Sequence, residues 1–120
     1  MADAIVDVSE DKGPGISKIT WDWTSATDGS GSGATSEAYT GEIRRVVVDP
    51  DDSTPPTAAY DITITDDDGY AVLDTTVAPV LYESLDIPHS AVVLESKLTM
   101  TLTSAGEEKS GTVIVYVAGM

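Results

Sequence analysis

Apolar and polar residues alternate with a period of two along most of this chain. Ile19, Trp21 and Trp23 interleave with Lys18, Thr20, Asp22 and Thr24. Side chains two apart in an extended segment share a face, so the pattern predicts a half-buried antiparallel strand from about Ile16 to Thr24. The same period predicts a strand at Tyr60–Thr65, with Tyr60, Ile62 and Ile64 facing in. It predicts another through Leu98, Met100 and Leu102, and a last one at Thr112–Val117 with Val113, Val115 and Val117 inward. A longer strand is expected from about Ala38 to Val48. It sets Tyr39, Gly41, Ile43 and Val47 on one face, and Thr40, Glu42, Arg44, Val46 and Val48 on the other. The unbroken apolar run at its end predicts a bulge, or burial on both faces, near Arg44-Arg45.

The breakers between these runs define the connections. Gly13-Pro14-Gly15 is a turn. Asp28-Gly29-Ser30-Gly31-Ser32-Gly33 reads as a mobile loop, because Gly and Ser offer little to pack. Pro50, Pro55 and Pro56 stop the chain over Asp49–Thr57, since proline cannot donate to a ladder. Asp68-Gly69 is suited to a type I′ hairpin turn that returns the chain at Tyr70–Leu73. The stretch from Asp74 to Glu95, with Pro79 and Pro88, is the least regular, and a short helical turn is expected around Val80–Leu85. Residues 3 to 8 alternate only loosely. The fold class expected is all-β: a single antiparallel β-sandwich or barrel-like domain of six to seven short strands over residues 16–120. Residues 1–15 precede it as an N-terminal arm or short strand.

Size and charge narrow the function classes. One domain accounts for 120 residues, and the chain has no Cys for disulfides, zinc-thiolate sites or thiol nucleophiles. Six basic residues against 21 acidic ones give a net charge of −15, which repels phosphate backbones and anionic lipid, so neither nucleic acid nor a membrane is an expected partner. No apolar run is long enough to span a bilayer. The segment Met1–Asp7 has neither a basic region nor an apolar run, so no secretory signal is expected. The charge itself reads as a solvated surface or as a docking face for a basic or cation-bridged partner.

The candidate chemistry is thin. An EF-hand loop aligned on Gly69 places Ile64 at its first ligand position and Thr75 where a Glu belongs, so Asp66-Asp67-Asp68 fails as a calcium loop. Asp49, Asp51 and Asp52 fare no better. A carboxylate pair such as Glu42 and Asp61 carries no information among 21 acids. The one His, His89, has no nucleophile-elbow pattern beside it. Gly29, Gly31 and Gly33 lack the Lys and the helix of a phosphate loop. No catalytic residue, cofactor or metal ligand is expected, and no enzyme. Trp21 and Trp23 read as core, with a carbohydrate-binding platform as the reading of another class. Ile5, Val6 and Val8 in the N-terminal segment are interaction candidates, able to add a strand to a neighbour's sheet. So are Arg44 and Arg45, the adjacent basic pair, for an internal or intersubunit ion pair.

Several segments together resemble one group of proteins. They are Tyr39-Thr40-Gly41-Glu42-Ile43, Val48-Asp49-Pro50, Pro56-Thr57, Tyr60-Asp61-Ile62-Thr63-Ile64-Thr65-Asp66 with Asp68-Gly69, and Lys109-Ser110-Gly111-Thr112-Val113-Ile114-Val115-Tyr116. Over residues 19 to 117 the chain resembles small all-β virion proteins of tailed bacteriophages. That resemblance implies a structural virion protein made in the host cytoplasm, foremost a decoration or cement protein on the phage head surface. A tail or neck protein is the alternative. It implies a homo-oligomer, with a trimer as the expected state, bound to the major coat protein, and it brings no catalytic residues with it.

Overall fold

The computed structural model describes residues 4–51, 53, 56, 60–77, 83–85, 91–106 and 108–119. Its strands in chain order are β1 (Ile5–Lys12), β2 (Ile16–Thr24), β3 (Gly31–Ala34), β4 (Tyr39–Pro50), β5 (Tyr60–Thr65), β6 (Ala71–Val77), β7 (Glu83–Leu85), β8 (Ala91–Ser96), β9 (Thr99–Thr103) and β10 (Ser110–Ala118). They form two antiparallel sheets. The larger runs β1-β2-β10-β4-β7, with β8 also paired to β4, and the smaller runs β3-β9-β5-β6.

The alternation in sequence places the core. Ile19, Trp21, Trp23, Val113, Val115 and Val117 from the larger sheet meet Tyr60, Ile62, Ile64, Met100 and Leu102 from the smaller, with Leu98 beside them, all buried in one cluster. Trp21 and Trp23 are 0% and 1% exposed. Trp21 Nε1 donates to the Gly33 carbonyl of β3 at 2.9 Å, tying the sheets together at one edge. The Trp23 and Tyr60 rings lie 5.7 Å apart at a tilt of 56°, an edge-to-face geometry that aromatic quadrupoles favour.

Ten strands among the described residues replace the six or seven expected, and the extra ones come from segments without a clean alternation. Gly31-Ser32-Gly33, expected as part of a mobile loop, belong to β3, which is paired along its length with β9. Its glycines answer to close approach instead of mobility: a Cβ on Gly33 would lie 2.7 Å from Val6 Cγ1. Within the segment expected to hold a helical turn, residues 83–85 are strand β7, paired with Val46–Val48. Residues 80–82 lie outside the described set.

On β4 the bulge falls where the apolar run placed it, and it reverses the phase assigned beyond it. β10 opposes Tyr116 to Arg45 and Val117 to Ile43, so Arg44 is the extra residue. Tyr39, Gly41 and Ile43 face the core before the bulge, and Val46 and Val48 after it. Val47, expected on the Tyr39 side, lies on the opposite side of the sheet. One inserted residue turns over every side chain that follows.

The Asp66–Tyr70 connection differs from the type I′ turn expected. Gly69 N–H donates to the Asp66 carbonyl at 3.1 Å, and Gly69 alone in this turn has positive φ, at 85°. A type I′ turn needs positive φ at both central residues. This turn is instead built by Asp66, whose Oδ1 accepts from the Asp68 and Tyr70 amides at 3.0 Å each. Such side-chain-to-backbone bonding is the local habit of Asp in turns.

Candidate functional site: the N-terminal edge and outer face of the larger sheet

Residues 1–15 contain an edge strand. β1 pairs with β2 from Ile5↔Thr24 to Lys12↔Ser17, and it forms one end of its sheet. Val6 and Val8 are half-buried and packed against the core cluster, over the two β3 glycines, while Ile5 points outward and is 60% exposed. Of the three apolar candidates in this segment, two are therefore committed to the chain's own core.

The far end of β1 is fastened by charge. Glu10 accepts four hydrogen bonds from the segment leading into β4. Oε2 takes Ser36 N–H at 3.0 Å and Ser36 Oγ–H at 2.8 Å. Oε1 takes Glu37 N–H at 3.0 Å and Tyr39 O–H at 2.9 Å. Partial burial works to raise the Glu10 pKa, but the bonds from Ser36, Glu37 and Tyr39 together outweigh it, and the net shift is downward. The Tyr39 phenol is held well above its ordinary range, first by burial and then by its bond to Glu10 and the charges of Glu10 and Glu37. Lys12 continues the fastening, with Nζ donating to the Ala38 carbonyl at 2.8 Å and lying 5.4 Å from the centre of the Tyr39 ring. Nothing in the two-residue alternation signals Glu10. Its role follows from a chain reversal that brings residues 26 to 29 positions apart into contact.

The outer face of the larger sheet is ordered in rows by strand register. Asp22, Thr112 and Asp49 are aligned across β2, β10 and β4, with Asp7 of β1 beside Asp22. Two residues along lie Thr20, Ile114 and Val47. Two further along lie Lys18, Tyr116 and Arg45, with Asp11 beside Lys18. The Arg45 guanidinium lies 5.7 Å from the centre of the Tyr116 ring, a cation–π distance. Arg44, the bulged residue, points outward and is 3.5 Å from Glu42. Both members of that pair face solvent, where such contacts contribute little. The acidic row borders a recess of about 180 Å³ lined by Asp22, Asp49, Asp51 and Thr112.

Other candidates from the sequence resolve into structural roles. Asp67 Oδ2 accepts the Lys97 amide at 3.1 Å and Asp51 Oδ2 accepts the Ser53 amide at 3.0 Å, so these carboxylates bind backbone. No group of three or more metal-ligating side chains stands together among the described residues. Millimolar calcium is expected to leave the melting temperature unchanged. A rise of many degrees, reversed by chelator, would contradict this. Glu42 and Asp61 point outward from different sheets and cannot converge on one substrate. His89 lies outside the described residues. A second recess of about 560 Å³ lies between Lys12, Ser17, Tyr39, Thr40 and Glu95, but Tyr39 is only 2% exposed and presents little ring surface for stacking. Among the described residues no helix is long and apolar enough to cross a membrane.

No family model, curated protein or solved structure matches the chain.

Proposed function

We propose that this chain is a structural protein of a phage virion, a head decoration protein folded as one sandwich-like domain and acting through surface contacts without chemistry of its own. The support for the virion assignment is the resemblance carried by residues 19 to 117. The observation that favours a contact-making protein is the fate of the tryptophans. Trp21 and Trp23, the strongest candidates for a ligand-stacking platform, lie with both rings in the core. What the molecule offers to a partner is a broad patterned sheet face and a long edge strand. An acidic surface keeps many closely spaced copies soluble, and several modest contacts per oligomer to a coat lattice add up through avidity.

Quantitative mass spectrometry of purified particles tests the assignment. Hundreds of copies per particle are expected. A few rings' worth of copies would move the protein to the neck or tail, and its absence from particles would end the virion reading.

A further inference from the structure

We propose that the outer face of the larger sheet is a self-complementary contact that pairs two copies of this chain about a twofold axis lying along the Thr20–Ile114–Val47 row. This names a partner and a face for self-association as a twofold pair, where the resemblance implies a trimer, and it rests on the reading above only in requiring self-association.

The arrangement of charge carries the argument. The chain has six basic residues against 21 acidic ones, yet two of the six, Lys18 and Arg45, stand in one row of this face, flanking Tyr116. The acidic row of Asp22 and Asp49 stands four residues away along the same two strands, about 13 Å at the usual rise. Both intervals are bisected by the row of Thr20, Ile114 and Val47. Rotation by 180° about that row lays each strand over its own copy and exchanges the two charged rows. Asp22 then faces Lys18 of the second copy, and Asp49 faces Arg45. Because the operation is a twofold, each pairing occurs twice, the signature of an isologous contact. The recess beside Asp22 and Asp49 gives an incoming ammonium or guanidinium group a concave acidic seat, and Ile114 supplies an apolar centre over itself.

Two effects oppose the pairing. Asp7 comes to lie over Asp11 of the second copy, two like-charge pairs at the exposed rim of β1. Each copy also carries −15 overall. At physiological ionic strength charges beyond about 8 Å are largely screened, so the distant acids matter less than the four attractive pairs in contact. Three strands about 4.8 Å apart and eight residues long present roughly 400 Å² per copy, which is the size of a weak, reversible interface. A dimer dissociating in the micromolar range is expected, rather than a permanent one.

A charge exchange within the pair distinguishes this geometry from any other self-contact. Sedimentation of the isolated protein at physiological salt is expected to show a monomer–dimer equilibrium. Asp22→Lys and Lys18→Glu are each expected to raise the dissociation constant about 10- to 100-fold, since symmetry makes each substitution act twice. The double variant restores both pairings with signs reversed, so dimerisation returns. An equimolar mixture of the two single variants, one with both positions basic and one with both acidic, also dimerises. Lys18 and Asp22 are exposed, and circular dichroism of each variant confirms the fold. A second measurement uses no charge change: Thr20→Cys, in a chain with no Cys of its own, is expected to be cross-linked to its copy by a short bis-maleimide. A wild type that stays monomeric to millimolar concentration overturns the proposal. So do single variants that dimerise like wild type, or a double variant and a mixture that fail to recover. All these readouts are made on the isolated protein, so they stand or fall separately from its presence in particles.

Discussion

Replacing Trp21 by Ala is expected to cost about 3–5 kcal/mol of folding stability, the range for emptying a buried aromatic site. A domain of this kind has only about 5–15 kcal/mol in total, so the variant is expected to be partly unfolded at 37 °C. The ring is fully buried, and its Nε1 bond to Gly33 is one of the ties between the two sheets. Trp23→Ala is expected to fall in the same range, because that ring packs at a tilt against Tyr60 and closes over Gly111, where an added Cβ would come within 2.7 Å of it. The two positions separate when each is changed to Phe. Trp23 Nε1 is buried without a hydrogen-bond partner among the described residues, so removing it costs no bond. Trp21→Phe removes the bond to the Gly33 carbonyl and is expected to be the worse of the two by about 1 kcal/mol. Urea unfolding of all four variants checks this. Losses below about 1 kcal/mol in both Ala variants would mean that the rings are not packed as described.

Glu10→Ala is expected to detach the N-terminal strand while leaving the rest of the fold in place. Four hydrogen bonds to one carboxylate are lost, and the Tyr39 hydroxyl and two amides are left to find water. Bonds to charged groups contribute about 1.5–3 kcal/mol each when buried. This carboxylate is only partly buried and the amides can be resolvated, so a total of about 2–3 kcal/mol is expected. Hydrogen exchange is the sensitive readout: β1 amides lose protection and β5 and β9 amides keep theirs, the pattern of a local opening. Loss of protection throughout would show that β1 is part of one cooperative unit with the core. The pH dependence has a definite sign. The folded-state pKa of Glu10 lies below its ordinary value of 4.5, so the contribution is present in full above that value and is lost as pH falls through the folded pKa. The stability gap between wild type and Glu10→Ala is therefore expected to be constant from neutral pH down to about pH 5 and to narrow as pH falls through the folded-state pKa of Glu10, below 4.5. The other carboxylates titrate in both proteins and cancel in the difference.

The core was legible because strict alternation leaves no freedom. Every position assigned inward in β2, β5, β9 and β10 is buried, since a strand with one apolar face has only one way to sit. On β4 the same logic worked up to Arg44 and then failed by one residue. The sequence carried a cue to the bulge in the run Val46-Val47-Val48, but not which residue would be extra. Gly31–Ala34 was unreadable for a different reason: the composition that marks a flexible linker is also what a strand needs where Val6 and Val8 crowd against its backbone. The candidate surface was half legible. Lys18…Asp22 and Arg45…Asp49 share a four-residue spacing that is visible in the chain, whereas their alignment into common rows depends on β10 lying between β2 and β4. Glu10 gave no local signal at all, because its partners belong to a distant segment.

The position of β10 also has a temporal consequence. Of the described strands β10 is made last, and it is an inner strand of the larger sheet; β9, made just before it, is an inner strand of the smaller. Until β9 and β10 have left the ribosome, β2 and β4 have no partner between them, and β3 and β5 are likewise unjoined. Among the described residues the nascent chain can until then pair only β1 with β2, β4 with β7 and β8, and β5 with β6, and such two- and three-stranded fragments are marginal in water. Folding is expected to be late, concerted and comparatively slow, as it is for proteins dominated by distant pairings. During that wait the surplus of negative charge keeps the unpaired edges of neighbouring nascent chains apart.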